Sequence, residues 1–199
     1  SSHFWFDELL CCLIQPRWAG PSKRKRLESG DQELRMGKKQ CTPGVMVSCG
    51  ICLAHNPPII GPFFVPPGVK LNSTGYQALL EDCYGPELWT LSKPIWWQQD
   101  NAPSHNSKST KEWMQRSWPF LPVNWPPNSP DLSPLDYGVW SAILQHMERK
   151  GYKNAVELKA AISRAVATLN SKDMPEKIIM CFEKKLQKCL GAEGKHFES

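Results

Sequence analysis

The stretch 124–134 carries Pro126, Pro127, Pro130 and Pro134. No helix or strand runs through so many fixed φ angles and missing N–H donors, so the chain is cut there. What leaves the cut reads as an amphipathic helix: Leu135, Val139, Ile143 and Met147 fall on one face, with Trp140 and Leu144 beside them. Pro134 suits a first helical turn, where an absent N–H is no loss, and Asp136 lies in that turn. What arrives includes an apolar run, 94–99, that closes on Asp100 and a turn. An acid at a strand end and another at a helix start can converge on divalent metal ions. Such a site suits phosphodiester chemistry, with two metals roughly 4 Å apart serving the attacking and leaving oxygens.

The remaining elements follow from periodicity and punctuation. Residues 3–13 read as a strand, and 16–43, rich in Pro, Gly and charge, as a basic loop or small insertion. Two strands are expected at 45–53 and 58–66. Asn72 caps an amphipathic helix over 76–84, for which Gly85 and Pro86 are the expected stop. Strand 94–99, helix 106–118, a short strand at 120–123 and the helix from Pro134 come next. Two trailing helices, 154–169 and 173–190, close the chain. Three early strands followed by alternating helix and strand fit an antiparallel meander continuing into a mixed α/β sheet.

Composition sets outer limits. The chain has 199 residues, enough for one substantial core, and 41% hydrophobic with 22% charged residues reads as soluble and globular. No apolar run nears the ~20 residues of a bilayer span, so no membrane partner is expected. The first residues lack a basic segment with an apolar run behind it, so no signal peptide is expected; the absent Met reads as a portion of something longer. Net charge is +5, of which the segment 22–40 supplies +4 from seven bases and three acids. Its Lys23, Arg24, Lys25, Arg26, Lys38 and Lys39 could pair with phosphates, act as a nuclear import signal, or form a solvated loop without a partner. Eight scattered cysteines, two of them adjacent, argue against a disulfide framework. Cys49 and Cys52 have zinc-ligand spacing but sit in an apolar run with no second pair, which favours small buried hydrophobes and reduced thiols.

The blocks 98–105, with Asp100, Asn101 and His105, and 125–137, with Trp125 and Asp136, resemble the signature blocks of the mariner superfamily of cut-and-paste DNA transposases. Residues 186–198 look like that family's usual C-terminal end, and 45–66 is similar to its central hairpin. The resemblance covers about residues 45–198. It implies a single ribonuclease H-like catalytic domain over 1–199: an α/β fold, a mixed sheet flanked by helices, with C-terminal helices. It also implies three carboxylates, on the first strand, at the end of the fourth and on a following helix. Position by position these are Asp7, Asp100 and Asp136. Around Asp7 the chain departs from the family pattern, with Leu9 where a basic residue usually follows the acidic pair. Asp100 and Asp136 have 35 residues between them, close to the family's separations. Asp131, in the loop, is read as a turn brace.

The function so implied is metal-dependent cleavage of DNA at transposon ends and joining of the freed 3′ end to target DNA. Mg²⁺ or Mn²⁺ would form a two-metal site, DNA and a second copy of the chain would be partners, and the nucleus the location. The helix-turn-helix modules that read transposon ends in this family have no counterpart here. The carboxylates suit such cations because these take hard oxygen donors. Taken singly, each acid reads also as a helix cap or surface charge. Asn101 and His105, in the turn after Asp100, could position metal-bound water or a DNA phosphate, and His105 could equally cap the next helix. Trp125, with Trp113 and Trp118, could stack on splayed bases. The alternative function is a decayed or domesticated nucleic-acid-binding remnant without turnover.

Overall fold

Val45, Val47, Cys49 and Ile51 are all buried, on one face of strand β2 (Val45–Ile51). Ser48, between them, points the other way and meets the Tyr84 hydroxyl at 2.8 Å. This alternation with two buried faces belongs to a strand covered on both sides. The computed structural model describes residues 10–19, 44–92, 95–126, 129–147 and 152–192. Among these, β2 is joined by β1 (Leu10–Ala19), β3 (Ile59–Val65), β4 (Ile95–Gln99) and β5 (Leu121–Pro122) in one sheet of order β3-β2-β1-β4-β5. The β3–β2 and β2–β1 pairs are antiparallel; β1–β4 and β4–β5 are parallel. The expected meander running into a mixed sheet is what forms.

Strand β1 departs from the expected 3–13, since its pairing runs on to Ala19, into the stretch read as loop. Its first half pairs with β4, from Leu10 opposite Ile95 to Ile14 opposite Gln99. Its second half pairs with β2, from Gln15 opposite Cys49 to Ala19 opposite Val45. Pro16 falls beyond the last β4 pair, where β1 borders a single strand, the setting in which a sheet accepts proline.

Helix α1 (Ser73–Leu79) starts where the sequence places it, with Asn72 Oδ1 accepting from the Gly75 N–H at 2.9 Å. It does not stop at Gly85. A π-helical turn (Leu80–Tyr84) leads directly into α2 (Gly85–Leu88). The wide turn absorbs the hydrogen bond that Pro86 cannot make, and Gly85 leaves room for the Trp89 ring, 2.4 Å from where a Cβ would stand. After β4 come α3 (Pro103–Asn106) and α4 (Lys108–Ser117), the latter capped by Ser107. The Pro-rich loop holds one 3₁₀ turn (Pro130–Leu132), followed by a π-helical turn (Leu135–Val139) running into α5 (Trp140–His146). Helices α6 (Ala155–Asn170) and α7 (Met174–Gly191) lie within a residue of their expected bounds.

Two core clusters form. Val45, Val47, Cys49, Ile51 and Ile59 meet Leu135, Val139, Ile143, Ile162, Val166 and Leu169, closing the sheet against α5–α7. Ile60, Ile95 and Trp97 meet Tyr76, Leu80, Tyr84, Leu88, Met114 and Trp118 from α1–α4 and their connections. Each fully buried side chain of this size contributes about 1.5–3 kcal/mol. Cys49 and Cys52 are both fully buried and pack into different clusters, as small apolar side chains do. Burial pushes the Cys49 thiol far above its ordinary range. Leu144, expected beside the apolar face of α5, is 66% exposed. At the sheet margin, the Asn170 side chain accepts from the Ile59 N–H at 2.8 Å and donates to the Ile59 carbonyl at 2.9 Å. No helix among the described residues is long and apolar enough to cross a membrane.

Candidate active site

Asp100 follows β4 directly, at the end of a strand whose Ile95 and Trp97 are anchored in the core. Its Oδ1 accepts from the Ala102 N–H at 3.0 Å and lies 2.7 Å from Nδ1 of His105; the carboxylate is 34% exposed. It opens onto a cleft of about 570 Å³, whose other polar walls come from Gln99, Asn101, Asn106, Lys111, Gln115 and Asn124. Trp125 also lines it. Asn101 ties the turn to the Pro-rich loop, donating to the Trp125 carbonyl at 3.2 Å and accepting from Asn106 at 2.7 Å.

Beneath Asp100 the floor is buried and hydrogen-bonded. Tyr76 is fully buried, and its hydroxyl donates to Gln99 Oε1 at 2.6 Å, where the Trp97 indole N–H also donates at 3.2 Å. Burial holds the Tyr76 hydroxyl protonated far above its usual range; the Trp97 contact pulls the other way and the Asp100 charge adds to the rise.

Asp136 is half-buried in the first turn after Pro134, where a helix start favours a carboxylate. The turn packs against β1 and β2, and neighbouring Leu135 and Val139 enter the core. Gly138 lets α7 approach closely: a Cβ there would stand 2.6 Å from Ile178 Cγ2. The Tyr137 hydroxyl donates to the Ile178 carbonyl at 2.9 Å on the same contact. Gly138→Ala is therefore expected to destabilise the fold by about 1–3 kcal/mol through overpacking, read as a lowered melting temperature. An unchanged melt would mean that α7 shifts without penalty.

The cleft brings together Asp100 and Trp125, while Asp136 is not among its lining residues. Asp7, Lys23, Arg24, Lys25, Arg26, Lys38 and Lys39 lie outside the described residues. On β1 the last pair with β4 sets Ile14 opposite Gln99, one residue before Asp100, and no carboxylate occurs between Leu10 and Ala19. Among the described residues no group of three metal-ligating side chains gathers. The donor chemistry at the cleft fits a hard cation as far as Asp100 goes: its carboxylate and the amide oxygens of Gln99, Asn101, Asn106, Gln115 and Asn124 are oxygen donors, and the cleft has room for a hydrated ion with a phosphate.

Two expectations, for His105 and for the tryptophans, need correction. His105 is fully buried and cannot meet a DNA phosphate, and it does not cap the next helix, since Ser107 does. Trp118 is core, in edge contact with Trp97 at 5.0 Å, and Trp113 leans on it at 5.6 Å. Of the three tryptophans named for stacking on bases, only half-buried Trp125 lines the cleft, its ring 6.4 Å from Phe182. Asp131 is exposed on the 3₁₀ turn. For the His105–Asp100 pair the sequence carries one signal, a histidine in a short helix begun by Pro103, five residues after the acid.

No protein-family model matches the chain. The Tc3 transposase of Caenorhabditis elegans is 30% identical over 128 residues, 63% of this chain and 38% of that protein. The Tcb2 transposase of Caenorhabditis briggsae is 36% identical over 83 residues, 40% of this chain and 29% of that protein. The chain thus matches less than two fifths of the length of either relative. Among solved structures, the catalytic domain of Mos1 mariner transposase superposes with a TM-score of 0.70 at 18% identity, covering 94% of this chain and 84% of that one. The Mos1 strand transfer complex gives 0.73 at 18% identity, covering 96% of this chain and 56% of that one. Mos1 has also been solved with Mn, with Mg and paired with its left transposon end. The fold is ribonuclease H-like.

Proposed function

We propose, for a chain whose homologues are Tc1/mariner-family transposases and whose fold is that of the Mos1 catalytic domain, that it is the part of a transposase that cleaves and joins DNA. The observation that carries this reading is Asp100 seated just past β4, backed by a buried, hydrogen-bonded floor and facing a polar cleft. Asp100 and Asp136, with Asp7 as the third acid, would hold Mg²⁺ or Mn²⁺. Bound there, two such ions supply activation of the attacking oxygen and stabilisation of the leaving one. The chain's own residues do the rest. Lys111, at the cleft wall, offers a positive charge to a DNA phosphate, and the amides of Asn106, Gln115 and Asn124 offer donors along the same path. Trp125 presents an aromatic edge to the substrate strand.

The basic segment 22–40 adds a sequence-independent hold on DNA and an import signal, which agrees with work in the nucleus. Two copies acting on paired ends complete this reading. The test is nicking of supercoiled plasmid and of transposon-end duplex by the purified chain. Nicks that require Mg²⁺ or Mn²⁺ and stop on chelation are expected. DNA binding without any metal-dependent nicking would leave a nucleic-acid-binding remnant in its place.

A further inference from the structure

His105 has its whole surface buried, its ring lying on Tyr76 with centroids 3.9 Å apart and planes at 31°. It cannot exchange protons with a substrate or touch nucleic acid. Nδ1 faces the Asp100 carboxylate, an acceptor, at 2.7 Å, and so donates. In the neutral ring that leaves Nε2 as an acceptor, and Nε2 is buried with no hydrogen-bond partner. A buried polar atom left without a partner needs a reason. The nitrogen that does have a partner is Nδ1, on the Asp100 carboxylate.

We infer that His105 is a positioning residue: it fixes the plane of the Asp100 carboxylate and thereby where a divalent cation is held. The inference rests on the proposed role of Asp100 as a metal ligand and goes beyond it. Two donors, the Ala102 N–H and His105 Nδ1–H, converge on the same oxygen, Oδ1, so rotation of the carboxylate breaks both. The ring cannot swing away, because Tyr76 covers it and is itself tied to Gln99. The Gln99 side-chain amide in turn reaches the His105 carbonyl at 3.5 Å. Partners behind a metal ligand of this kind set affinity by holding the ligand in its binding orientation.

The experiment titrates Mn²⁺ into the full chain, reading free Mn²⁺ by electron paramagnetic resonance and nicking in parallel. His105→Leu is expected to weaken Mn²⁺ binding about 10- to 100-fold, the range for loss of such a partner. His105→Asn keeps a donor near the Nδ1 position and is expected to recover most of it, which a purely structural role would not predict. Wild-type protein that binds Mn²⁺ with His105→Leu binding equally well overturns the inference alone. If wild-type protein binds no Mn²⁺, the metal-ligand role of Asp100 falls and the inference with it. Should the leucine variant fail to fold, nitrogen-15 NMR of the wild-type imidazole decides. A proton on Nδ1 whose signal moves with Mg²⁺ in wild type, and not in Asp100→Asn, supports the inference. A proton on Nε2, or a signal that Mg²⁺ leaves unmoved, overturns it.

Discussion

Asp100→Asn is expected to lower metal-dependent nicking by about three orders of magnitude or more while the chain melts near the wild-type temperature. The two halves of that result have separate causes. An asparagine has the same shape, and its side-chain oxygen still accepts from the Ala102 N–H and His105 Nδ1–H, so the turn after β4 keeps its bonds. What disappears is the charge and one hard oxygen donor. Loss of metal-assisted charge stabilisation is worth several kcal/mol, and each 1.36 kcal/mol is tenfold in rate. Plasmid nicking in Mn²⁺ and a thermal melt of the same preparation check both halves. Wild-type nicking by the asparagine variant would remove Asp100 from the chemistry.

The second large effect is on stability. Trp97→Ala is expected to cost about 3–5 kcal/mol. The indole is fully buried, in edge contact with Trp118 at 5.0 Å and with Tyr84 at 6.1 Å, and stacked near Phe120 at 6.1 Å. Few neighbours could collapse into the hole, because those rings are held by one another. Since domains of this size are stable by only about 5–15 kcal/mol, much of the total would be lost. The Gln99 side chain would lose a donor as well, so the floor beneath Asp100 loosens along with the core. Urea denaturation measures the change. Trp96, one residue earlier and 38% exposed, is the control, and its replacement by Ala should move the midpoint far less. Equal shifts for the two would contradict the assignment of Trp97 to the core.

Much of this architecture was legible because it is written locally. Caps such as Asn72, the apolar face through Leu135, Val139 and Ile143, and the proline cluster at 124–134 each act within a few residues. The underestimated end of β1, which runs on to Ala19, is of another kind. The run 3–13 is more apolar than 14–19, yet strand limits depend on which residues find partners on β2 and β4, and that pairing is remote in sequence. Gly85 and Pro86 misled for a related reason: a π-helical turn accommodates proline only where packing of Tyr84 and Leu88 favours carrying on. At the site, Asp100 at a strand end and Asp136 in a first helical turn could be placed from the sequence, whereas the burial of His105 could not, because a histidine near an aspartate reads the same whether its ring faces water or Tyr76.

Among the described residues, the two border strands of the sheet are poor templates for another chain. On one side β5 has only two residues, one of them Pro122, which offers no amide hydrogen. On the other, β3 opens with both backbone groups of Ile59 already taken by Asn170 and carries Pro62 within it. Edges so blunted resist cross-chain pairing. Association of two copies by way of β3 or β5 would therefore have to overcome these prolines and the Asn170 clasp.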